Sequence, residues 1–339
     1  MRSIVYSSTG ASSVLSLVDR EPADPGAGEV RVRVVASGVN PTDWKARAGG
    51  DLAFAEVVPN QDGAGVVDAL GDGVEGLAVG DRVWLHLAAH RRPTGTAQES
   101  TVLPANRVVR LPDGVGFDLG ASLGVPAMTA HRALTVHEHG PTRLSRGALA
   151  GRTVLVQGGA GAVGHAAIQL AVWAGATVIA TVSSDGKAAL ATAAGAHHVL
   201  QYPDDALASR ILEIAPDGVE QIVEVAPAQN AVLDVEVLAN HGSIGYYANN
   251  NGDDFSVPIV ASFAKNARWQ GLLLYTVGDE ALQAAAEDIT AALEDGALPV
   301  GESAGLPLTW FPLEETAAAH DAVEHGATGK VLIRVSDEA

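Results

Sequence analysis

The 339-residue chain contains no cysteine. Disulfides, thiol nucleophiles, cysteine-held iron–sulfur clusters and thiolate zinc sites are therefore excluded. The absence leaves the compartment open, because a cysteine-free chain tolerates either redox environment. Basic residues are scarce as well: 21 Lys and Arg stand against 40 Asp and Glu, a formal net charge of −19. Such a chain has no cationic footprint for a nucleic-acid backbone, and an anionic cofactor would depend on local backbone amides and a few placed cations. No apolar run reaches the roughly 18 residues that a membrane span requires. The first nine residues, MRSIVYSST, lack a charged segment followed by an apolar run. No signal peptide is expected from them, and the cytoplasm is the expected location.

What is present is ample core: hydrophobic residues make up 47% and charged residues 18%. The length is about twice that of a typical domain, so two domains are expected. Residues 28–39, GEVRVRVVASGV, alternate with a period near two and predict an antiparallel strand. Residues 63–83 mix short apolar runs with repeated glycines, the texture of a small turn-rich β-domain. After about residue 120 the pattern changes. Strand-like 153–157, 176–182, 197–202, 221–226 and 242–248 alternate with helix-like 161–174, 186–196, 204–214 and 228–239. Continuous apolar strands between helices imply a parallel sheet covered on both faces. A further helix is predicted over 279–295 and a last strand over 330–335.

Within TVLVQGGAGAVGHAAIQLA (153–171), Gly159, Gly161 and Gly164 form G-x-G-x-x-G between a strand and a helix. In that setting Gly159 permits the tight turn and Gly161 lets backbone approach a pyrophosphate. Gly164 lets helix and strand pack closely, with the helix N-terminus toward the phosphates. The loop Gly159–Ala160–Gly161–Ala162–Val163–Gly164 is thus the expected dinucleotide cradle. The next strand ends in Ser183, Ser184, Asp185, Gly186 and Lys187. Two hydroxyls and a cation suit the 2′-phosphate of NADPH, the favoured cofactor over NADH. Asp185 is the contrary signal, since a carboxylate there binds a ribose, and a helix start capped by Ser184 or Asp185 is the plain alternative.

These segments resemble the zinc-independent branch of the medium-chain dehydrogenases/reductases, the quinone oxidoreductases of ζ-crystallin type. The likeness is carried by SGVNPTDWKARAG (37–49), GAGVVDALGDGVEGLAVGDRV (63–83), LGVPAMTAHRAL (123–134), VLVQGGAGAVG, GAHHVLQY and ATGKVLIRV (327–335). It implies a GroES-like, mainly antiparallel β catalytic domain at 1–122, a doubly wound Rossmann domain at 123–268, and a return to the catalytic domain at 269–339. It also implies a nicotinamide between the two and a homodimer or homotetramer built through the cofactor-domain sheet. Zinc-dependent relatives carry a Cys and a His–Glu pair where this chain has Asn40 and Gln61–Asp62, so no metal is expected.

Without a metal, charge developing on a substrate oxygen needs fixed hydrogen-bond donors. By resemblance Asn40 lies beside the substrate, with Asp43 and Trp44 on the same segment. Lys45 falls where many members have Tyr, and it is either a ribose or substrate donor and proton relay or a surface cation beside Arg47. Tyr202 falls at the adenosine phosphate or is a packed ring with a wet hydroxyl. Tyr246, Tyr247 and Ala248 fall beside the nicotinamide, Asn249 within reach of its carboxamide, and Leu272, Leu273 and Leu274 where backbone groups bind it. His137 and His139 around Glu138 read as a solvated loop, His197 and His198 as opposite sides of a strand, and His86 and His90 as near a turn. The expected function is NADPH-dependent reduction of a quinone or related conjugated acceptor. The alternatives are an alkenal or enone double-bond reductase and an NADPH-binding protein of weak turnover, in a sensor or structural role.

Overall fold

The computed structural model describes residues 1–202, 204–250 and 252–337. The chain divides into two compact units, one of residues 1–125 and 307–339, the other of residues 126–306.

The first unit opens with the antiparallel pair β1 (Arg2–Val5) and β2 (Ser16–Asp19). Strand β3 (Glu29–Val39) leads to helix α1 (Pro41–Ala48), followed by β4 (Asp62–Leu70), β5 (Arg82–Leu85), β6 (Ser100–Pro104) and β7 (Val108–Arg110). The alternation seen in the sequence is real on β3: Val30, Val32 and Val34 are fully buried while Arg31 and Arg33 are half-exposed. β3 is the hub of the larger sheet and pairs antiparallel with β4 and with β6. Helix α2 (Phe117–Leu134) runs across the division between the units, with Pro126 inside it.

The second unit holds β8 (Thr153–Gln157), α3 (Ala162–Trp173), β9 (Thr177–Val182), α4 (Asp185–Ala193), β10 (His198–Gln201) and α5 (Leu207–Ile214). It continues with β11 (Val219–Glu224), α6 (Pro227–Val237), β12 (Leu238–Tyr246), α7 (Ile259–Ala264), β13 (Arg268–Gly271) and α8 (Asp279–Glu294). The sheet order is β10-β9-β8-β11-β12-β13, and every pair is parallel. This is the doubly wound order, whose direction of winding reverses between β8 and β11. Leu155, Ile179, Ile222 and Ile244 fill its buried middle against Ile211 and Val235 from the covering helices.

The chain then returns to the first unit with β14 (Leu308–Pro312), α9 (Thr316–Glu324) and β15 (Lys330–Arg334). β15 pairs parallel with β14 and antiparallel with β3. The return begins at Pro307, not at 269, and the first crossing falls at Pro126, not at 123. Residues 269–306 stay in the second unit for two reasons. β13 completes the parallel sheet, and Asp288 of α8 bonds the His131 ring at 2.8 Å, the Leu144 N–H at 2.6 Å and the Arg143 guanidinium.

Candidate functional site

The glycine loop of the second unit has four glycines with distinct causes. Gly158 carries the positive φ, +70°, so the tight turn expected of Gly159 belongs to its neighbour. Gly159 is glycine for space: a Cβ would lie 2.9 Å from that of Ala180. Gly164 is tighter, with a Cβ 2.4 Å from the Gly158 carbonyl oxygen. Gly161 has neither reason. Its φ is −79°, and a Cβ would find its nearest protein neighbour at 3.5 Å. It sits at the N-cap of α3, where no side chain caps the helix. Ala162 and Val163 open that helix, and Ala160 is buried beneath the loop. Open backbone at a helix N-terminus fits a pyrophosphate, because the unspent N–H groups and the helix dipole both favour an anion.

At the end of β9, Ser183 and Ser184 are exposed. Lys187 Nζ donates to Ser183 Oγ at 3.1 Å, and Ser184 caps α4 by accepting the Lys187 N–H. Asp185 is turned to the neighbouring strand and accepts Gln201 Nε2 at 2.6 Å. Tyr202, 40% exposed, docks its N–H on the Val182 carbonyl at 2.9 Å, beside the same strand end. Ser183, Ser184, Lys187 and Tyr202 therefore gather in one place, while Asp185 is held by Gln201.

Tyr246 ends β12 and accepts the Leu272 N–H at 2.8 Å. Leu272 and Leu274 are buried and Leu273 is 56% exposed. Tyr247 and Ala248 are half-buried, and Asn249 is exposed and donates to Asp253 Oδ1 at 2.7 Å. Burial, with the Glu224 carboxylate nearby, pushes the Tyr247 hydroxyl up.

Beneath this end of the sheet lies a buried acid pair that sequence reading missed. Glu224 closes β11 and Asp234 lies on α6, both fully buried. Glu224 accepts the Ala226 N–H and Asn230 Nδ2, the latter at 3.1 and 3.2 Å, and Asp234 Oδ1 accepts Gln157 Nε2 at 3.0 Å. Asp234 Oδ2 has no donor. Burial, and then the nearby Glu224 charge, push the Asp234 carboxyl well above its usual range, and burial pushes the Glu224 carboxyl up as well.

In the first unit Asn40 is almost fully buried at the N-cap of α1. Its carboxamide is held at both ends: Lys330 Nζ donates to Oδ1 at 2.7 Å, and Nδ2 donates to Asp62 Oδ2 at 2.7 Å. Lys330 Nζ lies 3.4 Å from Asp62 Oδ2, and Asp62 Oδ1 accepts the Val125 N–H at 2.8 Å. Burial drives Asp62 up and Lys330 down, each toward its neutral form, and their mutual attraction opposes both shifts. The bonds each makes fit the charged forms. Asp43 accepts the Asn40 N–H at 2.7 Å and the Gln61 N–H at 3.1 Å. Its own burial, and then the Asp62 charge, push its carboxyl up to about 7.

Among the other expected site residues, Trp44 is half-buried, and Lys45 is exposed with its Nζ 5.9 Å from the Trp44 ring centre. The structure thus unites Asn40 and Asp43 with Asp62 and Lys330 and leaves Lys45 on the surface. Lys330 sits in the segment GKVLIRV, where only apolar strand character attracts notice. His86, expected near a turn, and His137, expected in a solvated loop, are both buried. His86 is buried 5.6 Å from the Trp84 ring, and His137 is buried and accepts the His139 N–H at 3.0 Å. Burial holds both near 4, with Arg107 and Arg152 as second causes.

A mixed sheet unit interrupted by a doubly wound unit with a glycine-loop cradle defines a medium-chain dehydrogenase/reductase. Residues 26–113 match the alcohol dehydrogenase GroES-like domain, and residues 162–291 match the zinc-binding dehydrogenase domain. The chain is 31% identical over 340 residues to the quinone oxidoreductase of Rattus norvegicus, covering 98% of this chain and 97% of that one. It is 31% identical over 338 residues to the quinone oxidoreductase of Pseudomonas aeruginosa, covering 97% and 98%. A mycobacterial protein solved in complex with NADPH superposes with a TM-score of 0.81 at 30% identity, covering 98% of this chain and 99% of that one. The chain belongs to the quinone oxidoreductase family, the zinc-independent branch of these enzymes.

Proposed function

We propose that this protein is an NADPH-dependent quinone oxidoreductase. The observation that carries the reading is Gly161, a glycine that neither backbone conformation nor internal packing requires, placed at an uncapped helix N-terminus. The loop from Gly159 to Gly164 would hold the pyrophosphate. Ser183, Ser184 and Lys187, with Tyr202 beside them, would hold the 2′-phosphate. Asp185, whose Oδ1 accepts Gln201 Nε2, keeps its negative charge and is the feature that weighs against a 2′-phosphate there. Tyr246, Tyr247, Ala248, Asn249 and the backbone of Leu272–Leu274 would frame the nicotinamide.

NADPH, when bound, supplies a hydride, and with one further proton a quinone leaves as its hydroquinone. Asn40 has two amide hydrogens and spends one on Asp62. The other is the donor assigned to the oxygen that gains charge. Asp43 fixes the Asn40 backbone and the Gln61 backbone at once. Lys45 lies at the surface, so the reading gives it no part in the transfer and takes the proton from solvent. Zinc independence is supported by the same cluster. Asn40 Oδ1 and Asp62 Oδ2 already take the Lys330 ammonium, which would repel a divalent cation beside them.

The oligomer in this reading is a dimer through β13. That strand is the edge of its sheet, and next to it Ile259, Val260 and Phe263 of α7 are 75, 71 and 64% exposed. A second copy would satisfy the open strand edge and cover the apolar side chains. Light scattering behind size exclusion reads its mass. No helix among the described residues is long and apolar enough to cross a membrane. The cytoplasm remains the location proposed from the sequence.

The test is NADPH oxidation against benzoquinone, phenanthrenequinone, an alkenal, a cyclic enone and crotonyl coenzyme A, with NADH in parallel. Quinone turnover with NADPH preferred is expected. Turnover of the alkenal or enone alone would make the protein a double-bond reductase, and tight NADPH binding without turnover would make it a binding protein.

A further inference from the structure

We propose that Lys330 is a positioning residue for Asn40, acting with Asp62 to hold the carboxamide in one orientation. The inference rests on the reading of Asn40 as the substrate-side donor. Three backbone segments far apart in sequence converge on this amide. In the antiparallel pairing of β15 with β3, Val331 faces Val39, and one step further brings Lys330 opposite Asn40. In the pairing of β3 with β4, Gly38 faces Asp62. The N-terminal half of α2 adds the Val125 N–H to Asp62.

Two glycines clear the way. A Cβ on Gly38 would lie 2.2 Å from the Ala121 carbonyl oxygen and 3.0 Å from Lys330 Cε. A Cβ on Gly124 would lie 2.1 Å from Asp62 Oδ1. The space cleared at both positions admits the charged pair, and a buried ion pair is by itself a poor source of stability. What it supplies is direction. The oxygen and nitrogen ends of a carboxamide have nearly the same shape, and packing alone does not tell them apart. An ammonium accepts only the oxygen end as neighbour and a carboxylate only the nitrogen end. Reversal would set Nδ2 against Lys330 and Oδ1 against Asp62, two repulsive contacts in a dry interior. The ammonium also draws electron density through Oδ1, which makes the remaining N–H a stronger donor.

The experiment compares Lys330→Met, Lys330→Arg, Asp62→Asn, Asn40→Ala and the double variant Asn40→Ala/Lys330→Met. Three readouts are taken: steady-state kinetics with the acceptor that the wild-type chain turns over, NADPH affinity by fluorescence, and the Asn40 side-chain amide signals in asparagine-labelled protein. Lys330→Met is expected to lower kcat roughly tenfold or more, and to leave the NADPH Kd within about twofold. Lys330→Arg should recover part of the loss, and the double variant should be no slower than Asn40→Ala. The amide pair should be sharp in the wild type, and shifted and broadened in Lys330→Met. If Lys330→Met does not fold, Asp62→Asn answers the question, because its amide accepts either orientation of Asn40. Unchanged kcat and amide signals in these variants, or losses that multiply in the double variant, would overturn the proposal. If the wild-type chain turns over no acceptor, the functional reading falls, and the amide signals still decide whether Lys330 orients Asn40.

Discussion

The chain buries carboxylates in each of its two units and neutralises them differently. In the first, Asp62 lies against the Lys330 ammonium, with Asn40 bonded to both. In the second, the partners of Glu224 and Asp234 are amides and a backbone N–H, and burial pushes both carboxyls up toward their protonated forms. A buried carboxylate demands a counter-charge in either place. A lysine gives it a fixed direction, since the ammonium is carried on a strand of the same sheet. A proton gives it a pH dependence. The fixed direction suits the task proposed for the first place, which is to orient an amide.

The largest effect should come from removing the lysine. Lys330→Met leaves Asp62 buried and unpaired, and unfolding by denaturant should show a loss of about 3–5 kcal/mol. The second unit is most sensitive at its glycines. Gly164→Ala drives a methyl into the Gly158 carbonyl and should lower stability by about 1–3 kcal/mol. Gly161→Ala meets no such obstacle, so its melting temperature should stay near that of the wild type while its NADPH Kd, read by fluorescence titration, rises roughly tenfold. Loss of binding in neither variant would remove the cradle from this loop. Lys187→Ala should cut the preference for NADPH over NADH, measured as a ratio of kcat/KM, by roughly tenfold and leave NADH turnover alone.

The smallest effect sharpens the contrast most. Asp234→Asn keeps the shape and the bond from Gln157, and below about pH 4, where the acid it replaces is protonated folded and unfolded, it should change stability by less than about 1 kcal/mol. Its signature is in the pH profile. Because the folded chain holds the Asp234 proton far above the usual carboxyl range, this group's contribution is complete below about pH 4. It is lost as pH rises through the raised value, since the unfolded chain has already released the proton. Asp234→Asn removes that slope, and urea unfolding at a series of pH values checks it. An equal slope in variant and wild type would mean that Asp234 is ionised.

Much of this molecule was legible locally. The period-two alternation of GEVRVRVVASGV and the buried runs TVLVQ and TVIATV gave the strands nearly to the residue, because burial on one or two faces is written in consecutive side chains. The loop GGAGAVG announced a phosphate cradle, though it did not tell which glycine takes the positive φ, since Gly158 and Gly159 are adjacent and chemically alike. The segment from 269 to 306 reads as strand and helix without saying which sheet the strand joins. Only the pairing of β13 with β12 keeps it in the second unit.

Composition and spacing pointed to the fold class and to the glycine loop proposed as the cofactor cradle, and excluded thiolate chemistry, since each depends on residue type within a few positions. Tertiary structure decided which cation meets Asn40. Lys45 lies five residues from Asn40 and drew attention because it falls where many family members have Tyr; it is exposed. Lys330 lies 290 residues away and touches Asn40 at 2.7 Å. The register of two antiparallel strands brings them together, and register is a property of the sheet rather than of either strand.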